Sequence, residues 1–155
     1  MTRLTVGDTI PDVNVPSTSG EEVSLKDFHG NKVVLYFYPK DATSGCTKQG
    51  QDFRDFFAKF KKRNTVILGV SRDTLSSHKR FKTNQEFPFD LLSDKEEKLC
   101  SAFGVIKNKK MYGKDVRGIE RSTFLIDEKG KIIHEWRGVK VDGHVEEVLD
   151  TVSAV

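Results

Sequence analysis

Six consecutive apolar residues, Val33-Val34-Leu35-Tyr36-Phe37-Tyr38, followed at once by Pro39, constrain the fold more than any other stretch of this chain. A run that offers apolar side chains to both faces reads as a strand covered on both sides, and the proline ends it. Downstream, Phe53, Phe56, Phe57 and Phe60 recur at i, i+3, i+4 and i+7, so the spacing predicts a helix that buries that face. Lys61-Lys62-Arg63-Asn64 places cations at the negative end of this helix, with Asn64 as a left-handed cap. A second buried strand follows at 65–71. Strand, helix and strand in this order make a unit whose two strands pair in parallel.

The remaining pattern extends that unit. A polar helix is expected from about Thr74 to Thr83 and a short strand at 89–92. Ser93-Asp94-Lys95-Glu96 has the form of a capping box opening a helix that buries Leu99 and Phe103 and ends at Gly104. Segments 122–126 and 131–136 flank Asp127-Glu128-Lys129-Gly130, whose glycine suits the left-handed position of a hairpin turn. Val145, Val148, Leu149 and Val152 give a terminal amphipathic helix, with Asp142 as the expected cap. Strand-helix-strand followed by hairpin and helix is the order of thioredoxin-like α/β folds. No repeat, linker or shift in composition divides the chain, so residues 1–155 are expected to form one domain.

Composition excludes several classes. A chain of 155 residues buries roughly 70% of its unfolded surface and needs no staple. The longest apolar run is far short of the ~20 residues that span a bilayer, so no membrane association is expected. The start, Met1-Thr2-Arg3-Leu4-Thr5-Val6-Gly7-Asp8, lacks the apolar core of a signal peptide. Two cysteines are too few for a disulfide framework, which favours a reducing compartment, the cytoplasm. With 26 basic and 23 acidic residues the net charge is only +3, so nucleic acid is not the expected partner. The one basic concentration, Lys107 to Lys114, reads as a solvated loop or hairpin.

Cys46 falls in the first turn of the first helix, where unpaired N–H groups and the positive dipole end favour a thiolate. Thr43 stands three residues before it. Dithiol exchange needs two sulfurs at that spacing, so a lone thiolate beside a hydroxyl suits attack on an electrophile whose oxygen the hydroxyl can hold. The longer stretch Pro39-Lys40-Asp41-Ala42-Thr43-Ser44-Gly45-Cys46 resembles the peroxiredoxin pattern Pro-x-x-x-Thr-x-x-Cys. Similarity continues through Val6-Gly7-Asp8, Pro11-Asp12, Leu91-Leu92-Ser93-Asp94, Met111-Tyr112-Gly113 and Arg121-Ser122-Thr123-Phe124-Leu125-Ile126-Asp127, and the chain looks like the peroxiredoxin Q group, also called bacterioferritin-comigratory protein.

That resemblance implies a thioredoxin-like fold, a central mixed sheet flanked by helices with an N-terminal β extension, and a peroxidase without metal or organic cofactor. Cys46 would attack hydrogen peroxide or an organic hydroperoxide, Thr43 would hydrogen-bond the peroxide, Arg121 would hold the thiolate and peroxide oxygens, and Pro39 would shield the pocket. The reductant would be thioredoxin, or glutathione with glutaredoxin, acting on a monomer. General thiol chemistry shows why the neighbours matter. Lowering a thiol pKa from ~8.5 to ~6 raises the ionised fraction at neutral pH roughly 30-fold, but nucleophilicity falls about 13-fold, leaving a net gain of about two-fold. The larger share of a fast rate must come from alignment of the O–O bond and stabilisation of oxygen charge.

The pattern is broken in one place. Many members of the group carry a resolving cysteine five residues after the first, and that position here is Gln51. Gly50, beside it, either eases fraying of the helix or is merely tolerated. Cys100 is the only other thiol; it reads as a small core hydrophobe, with a resolving role as the alternative. A one-cysteine cycle completed by an external thiol is therefore the leading expectation. A Cys-His hydrolase would need one of His29, His78, His134 or His144 beside Cys46; His134 and His144 are expected at the surface. A thioredoxin-like binding or chaperone module, indifferent to Cys46→Ser, is the non-enzymatic alternative.

Overall fold

The computed structural model describes residues 3–155; Met1 and Thr2, the first residues of the polar start, lie outside them. The chain opens with a two-stranded antiparallel hairpin, β1 (Val15–Pro16) and β2 (Glu22–Val23), and a 3-10 turn at Leu25–Phe28, which together form the N-terminal extension. The apolar run follows as β3 (Lys32–Phe37), then α1 (Ser44–Asp55), α2 (Phe57–Lys62), β4 (Thr65–Ser71), α3 (Leu75–Gln85), β5 (Asp90–Ser93) and α4 (Lys98–Phe103). The second half holds β6 (Ile106–Met111), β7 (Lys114–Ile119), β8 (Ser122–Ile126), β9 (Ile132–Arg137) and α5 (His144–Ala154).

Five strands make one mixed sheet in the order β5-β4-β3-β8-β9, parallel from β3 to β5 and antiparallel through β8 and β9. β3 lies at its centre, as its doubly apolar sequence requires. Its alternate residues divide the core: Val33, Leu35 and Phe37 pack with Leu99, Cys100 and Phe103 of α4, while Val34, Tyr36 and Tyr38 pack with Cys46 and Phe53 of α1 and with Val145, Val148 and Val152 of α5. The fold is thus the thioredoxin-like one. None of its helices is long and apolar enough to cross a membrane, among the described residues.

Several local expectations are corrected. The single helix predicted across Phe53 to Phe60 is two, meeting at Phe56, and the buried face of α1 is Cys46, Gln49, Gly50 and Phe53. Ser93 does not cap α4: it ends β5, and its hydroxyl donates to the Asp73 carbonyl at 2.7 Å. The helix begins five residues later, where the Asp94 carboxylate reaches over to accept from the N–H groups of Leu99 (3.1 Å) and Cys100 (2.7 Å). Capping is achieved across a loop rather than within a box. At α5 the cap is Gly143, at φ 75°, rather than Asp142. Lys107 to Lys114 lies in the β6–β7 hairpin, whose two-residue turn, Tyr112-Gly113, has positive φ at both positions, as such turns require.

Candidate active site

Cys46 is the third residue of α1 and only 2% exposed. α1 starts at the end of β3, where β8 also begins, because Phe37 pairs with Ser122 in antiparallel register. The residue before Ser122 therefore lies beside the chain leaving β3. That residue is Arg121, and the register brings it to a thiol 75 positions away.

Its guanidinium joins two side chains of α1. Nη2 donates to Cys46 Sγ at 3.4 Å, and Nη1 donates to Gln49 Oε1 at 2.6 Å. A cationic donor aimed at sulfur favours negative charge there and orients it. Gly45 leaves room for this approach: a Cβ on it would stand 3.1 Å from Nη2, so the guanidinium would have to shift by a few tenths of an ångström. Gln49 is fully buried, and its Nε2 has no hydrogen-bond partner among the described residues. The buried Tyr36 hydroxyl also lacks a partner among these residues; burial first, then the nearby Cys46 sulfur and Asp41 carboxylate, push its pKa well above the usual phenol range, which keeps its proton in place.

Thr43 is the N-cap of α1 with an extended backbone, but its side chain caps nothing. Its hydroxyl donates to the Lys40 carbonyl at 2.8 Å, so toward a ligand it presents lone pairs. The first turn of α1 consequently keeps its N–H groups free of a side-chain cap. Pro39 lies exposed at the rim beside Lys40, and Thr43 is exposed as well.

Cys100 stands elsewhere. It is fully buried on α4, across the central sheet from Cys46, and burial followed by the adjacent Asp94 carboxylate raises its thiol pKa far above the ordinary value. His134 and His29 are exposed. His144 corrects the expectation of a surface residue: it is 5% exposed, its Nε2 lies in hydrogen-bond contact with Thr123 Oγ1 at 2.8 Å, and burial above all, with some help from Arg121, lowers its pKa to about 4. His78 is fully buried against Asp41. No histidine hydrogen-bonds Cys46 among the described residues, which leaves the hydrolase arrangement without its base.

Gln49 is the site residue that sequence reasoning missed. The signal was available, since 46, 49, 50 and 53 form an i, i+3, i+4, i+7 stripe and a glutamine on such a stripe is a buried polar group in need of a partner. This stripe is the Phe53, Phe56, Phe57 and Phe60 series carried back by one heptad, and a face read from Phe53 onward leaves out the turns that hold Cys46 and Gln49. Gly50 lies on the same stripe. A Cβ there would overlap the ring of Phe87, so glycine is what lets α1 close onto that ring.

The chain can be set beside known proteins on this basis. The AhpC/TSA family model matches residues 6–135. Peroxiredoxin Bcp of Bacillus subtilis is 50% identical over 149 residues, covering 96% of this chain and 95% of that one, and peroxiredoxin Bcp of Escherichia coli is 41% identical over 150 residues, covering 97% and 96%. A Xanthomonas campestris bacterioferritin comigratory protein, solved in a study of its alkyl peroxide reduction activity, superposes with a TM-score of 0.90 at 45% identity, covering 95% of this chain and 98% of that one. A match over this length, with a lone thiol held by Arg121 at the start of α1, leaves one conclusion: the chain belongs to the AhpC/TSA family, with the peroxiredoxin Q and Bcp proteins, and is a thiol-dependent peroxidase.

Proposed function

We propose that the chain reduces hydrogen peroxide and organic hydroperoxides at Cys46 in a one-cysteine cycle. The observation that carries this is the Arg121 guanidinium bridging Cys46 Sγ and Gln49 Oε1 at the open start of α1. The Cys46 thiolate attacks the terminal peroxide oxygen; the S–O bond forms as the O–O bond breaks, and the departing alkoxide or hydroxide takes a proton to leave as alcohol or water. Thr43 accepts a hydrogen bond from the peroxide O–H, while Arg121 and the uncapped N–H groups of the first turn stabilise the developing oxygen charge. Pro39 shields the rim from water.

The sulfenic acid on Cys46 then loses water to an external thiol, forming a mixed disulfide. A second thiol displaces Cys46 as thiolate and leaves with the first as a disulfide. Supporting an external reductant are Gln51 at the position of the absent resolving cysteine and the placement of Cys100 beyond the sheet. Because Cys46 is 2% exposed, the first turn of α1 must open for that thiol to enter. Thioredoxin, or glutathione with glutaredoxin, fits this role, in a monomer working in the reducing cytoplasm.

Peroxide turnover with each reductant, on wild type, Cys46→Ser and Cys100→Ser, tests the reading. Cys46→Ser should abolish turnover and Cys100→Ser should keep it within about three-fold, a range that mere packing changes span. Mass spectrometry of peroxide-treated protein should show Cys46 oxidised with no Cys46–Cys100 crosslink. An internal crosslink would replace the one-cysteine cycle with a two-cysteine one.

A further inference from the structure

The loop from Pro39 to Thr43 carries the peroxide-facing hydroxyl, yet of its five residues only Asp41 is buried. Four hydrogen-bonding groups converge on it. Its backbone N–H donates to Asp73 Oδ2 at 2.9 Å, its Oδ1 accepts from the Tyr38 hydroxyl at 2.6 Å, and its Oδ2 accepts from the Ser77 hydroxyl at 2.8 Å and meets His78 Nδ1 at 2.7 Å. His78 is fully buried, and its Nε2 lies 2.9 Å from the Leu92 carbonyl. A carbonyl only accepts, so Nε2 carries a proton. A second proton must lie between Nδ1 and Oδ2, whichever atom holds it, and the pair as a whole carries no net charge.

The receiving side is braced too. Asp73 is held by Ser71, whose hydroxyl accepts from the Asp73 N–H at 3.1 Å, and its carbonyl accepts from Ser93 at 2.7 Å. Asp41 is therefore tied directly to the end of β3, the β4–α3 loop and α3, and through His78 and Asp73 to β5. The next residue, Ala42, is left-handed at φ 63°, a conformation that a non-glycine residue keeps only where the chain on both sides is fixed. Asp41 fixes one side and α1 the other.

We propose that His78 and Asp41 are positioning residues for the peroxidase reaction, a buried clasp that sets the Lys40 carbonyl and through it the direction of the Thr43 hydroxyl. This rests on the peroxidase reading above. The two rates of Cys46 separate positioning from general damage. Attack on hydrogen peroxide needs the loop, whereas alkylation by iodoacetamide needs only a reachable thiolate.

The test measures both second-order rates on reduced protein for wild type, His78→Phe, Asp41→Ala and Asp41→Asn, with thermal unfolding as a check. His78→Phe and Asp41→Ala should slow the peroxide reaction by ~10- to 100-fold, the effect of misplacing a reacting partner by about 1 Å, with alkylation within about three-fold of wild type. Asp41→Asn should recover most of the rate, because its amide oxygen still accepts from Tyr38 and its NH2 can donate to Nδ1 of a neutral His78. Parallel loss of both rates, or an unchanged peroxide rate, overturns the clasp. Should His78→Phe fail to fold, the contrast between Asp41→Ala and Asp41→Asn decides alone. If wild type itself reacts no faster with peroxide than with iodoacetamide, it is the peroxidase reading that fails.

Discussion

At the scale of single residues, Arg121 and Gln49 work as a pair. The guanidinium is held by the Gln49 carbonyl oxygen on one side and spends its other arm on sulfur, so the glutamine sets the direction from which charge reaches the thiol. Arg121→Ala should lower the rate of sulfenic acid formation by ~100-fold or more, as loss of one donor to developing oxygen charge does, and by more than it lowers alkylation with iodoacetamide; equal losses would mean that the arginine acts on the thiolate alone. Gln49→Leu should cost about ten-fold in the same assay, because it frees the guanidinium without removing it. Cys46 was legible from the sequence through its place between strand and helix, and Thr43 through its spacing. Arg121 was legible only through family resemblance, since its approach depends on the register of β3 with β8, which no local pattern encodes. Gln49 lies on the face that the phenylalanine series marks, one heptad before Phe56, but a polar residue ahead of the first phenylalanine carries no apolar signal of its own.

Elements show the same division between local and tertiary causes. β4, α3 and the β8–β9 hairpin follow from runs and turn residues within their own segments, and Asn64 is left-handed as its place after cationic residues implies. The start of α4 does not, because its cap, Asp94, acts across a loop in which Glu97 is left-handed at φ 61°. α1 is shaped by what lies against it. Phe87 stacks on Phe89 at 5.0 Å between centroids and meets Phe81 edge-on at 5.0 Å, so its ring has little room to retreat from Gly50. Gly50→Ala gains up to ~1 kcal/mol of helix propensity but forces an overlap that costs about 1–3 kcal/mol. Overlap should win, and the urea midpoint should fall; a raised midpoint would mean that Phe87 yields and that the glycine is tolerated rather than required.

For the whole molecule, the mixed sheet separates two chemistries. On the face shared by α1 and α5, His144 is kept neutral by burial, hydrogen-bonded to Thr123. Its folded pKa of about 4 lies below the unfolded value of ~6.5, so between these values the unfolded chain binds a proton that the folded one refuses. His144 therefore costs no stability above pH ~6.5, and stability should decline as the pH falls toward 4. His144→Gln, whose amide can donate to or accept from Thr123, should flatten that slope in urea titrations at a series of pH values. An unaltered slope would assign the pH dependence to other groups. On the opposite face lies Cys100, as dry and inert as the phenylalanine beside it. Under the one-cysteine cycle proposed above, chance encounter in solution would govern what becomes of an oxidised Cys46: each turnover would be a race between an arriving thiol and a second peroxide, and the share of molecules lost to overoxidation would read out the ratio of oxidant to reductant around the protein.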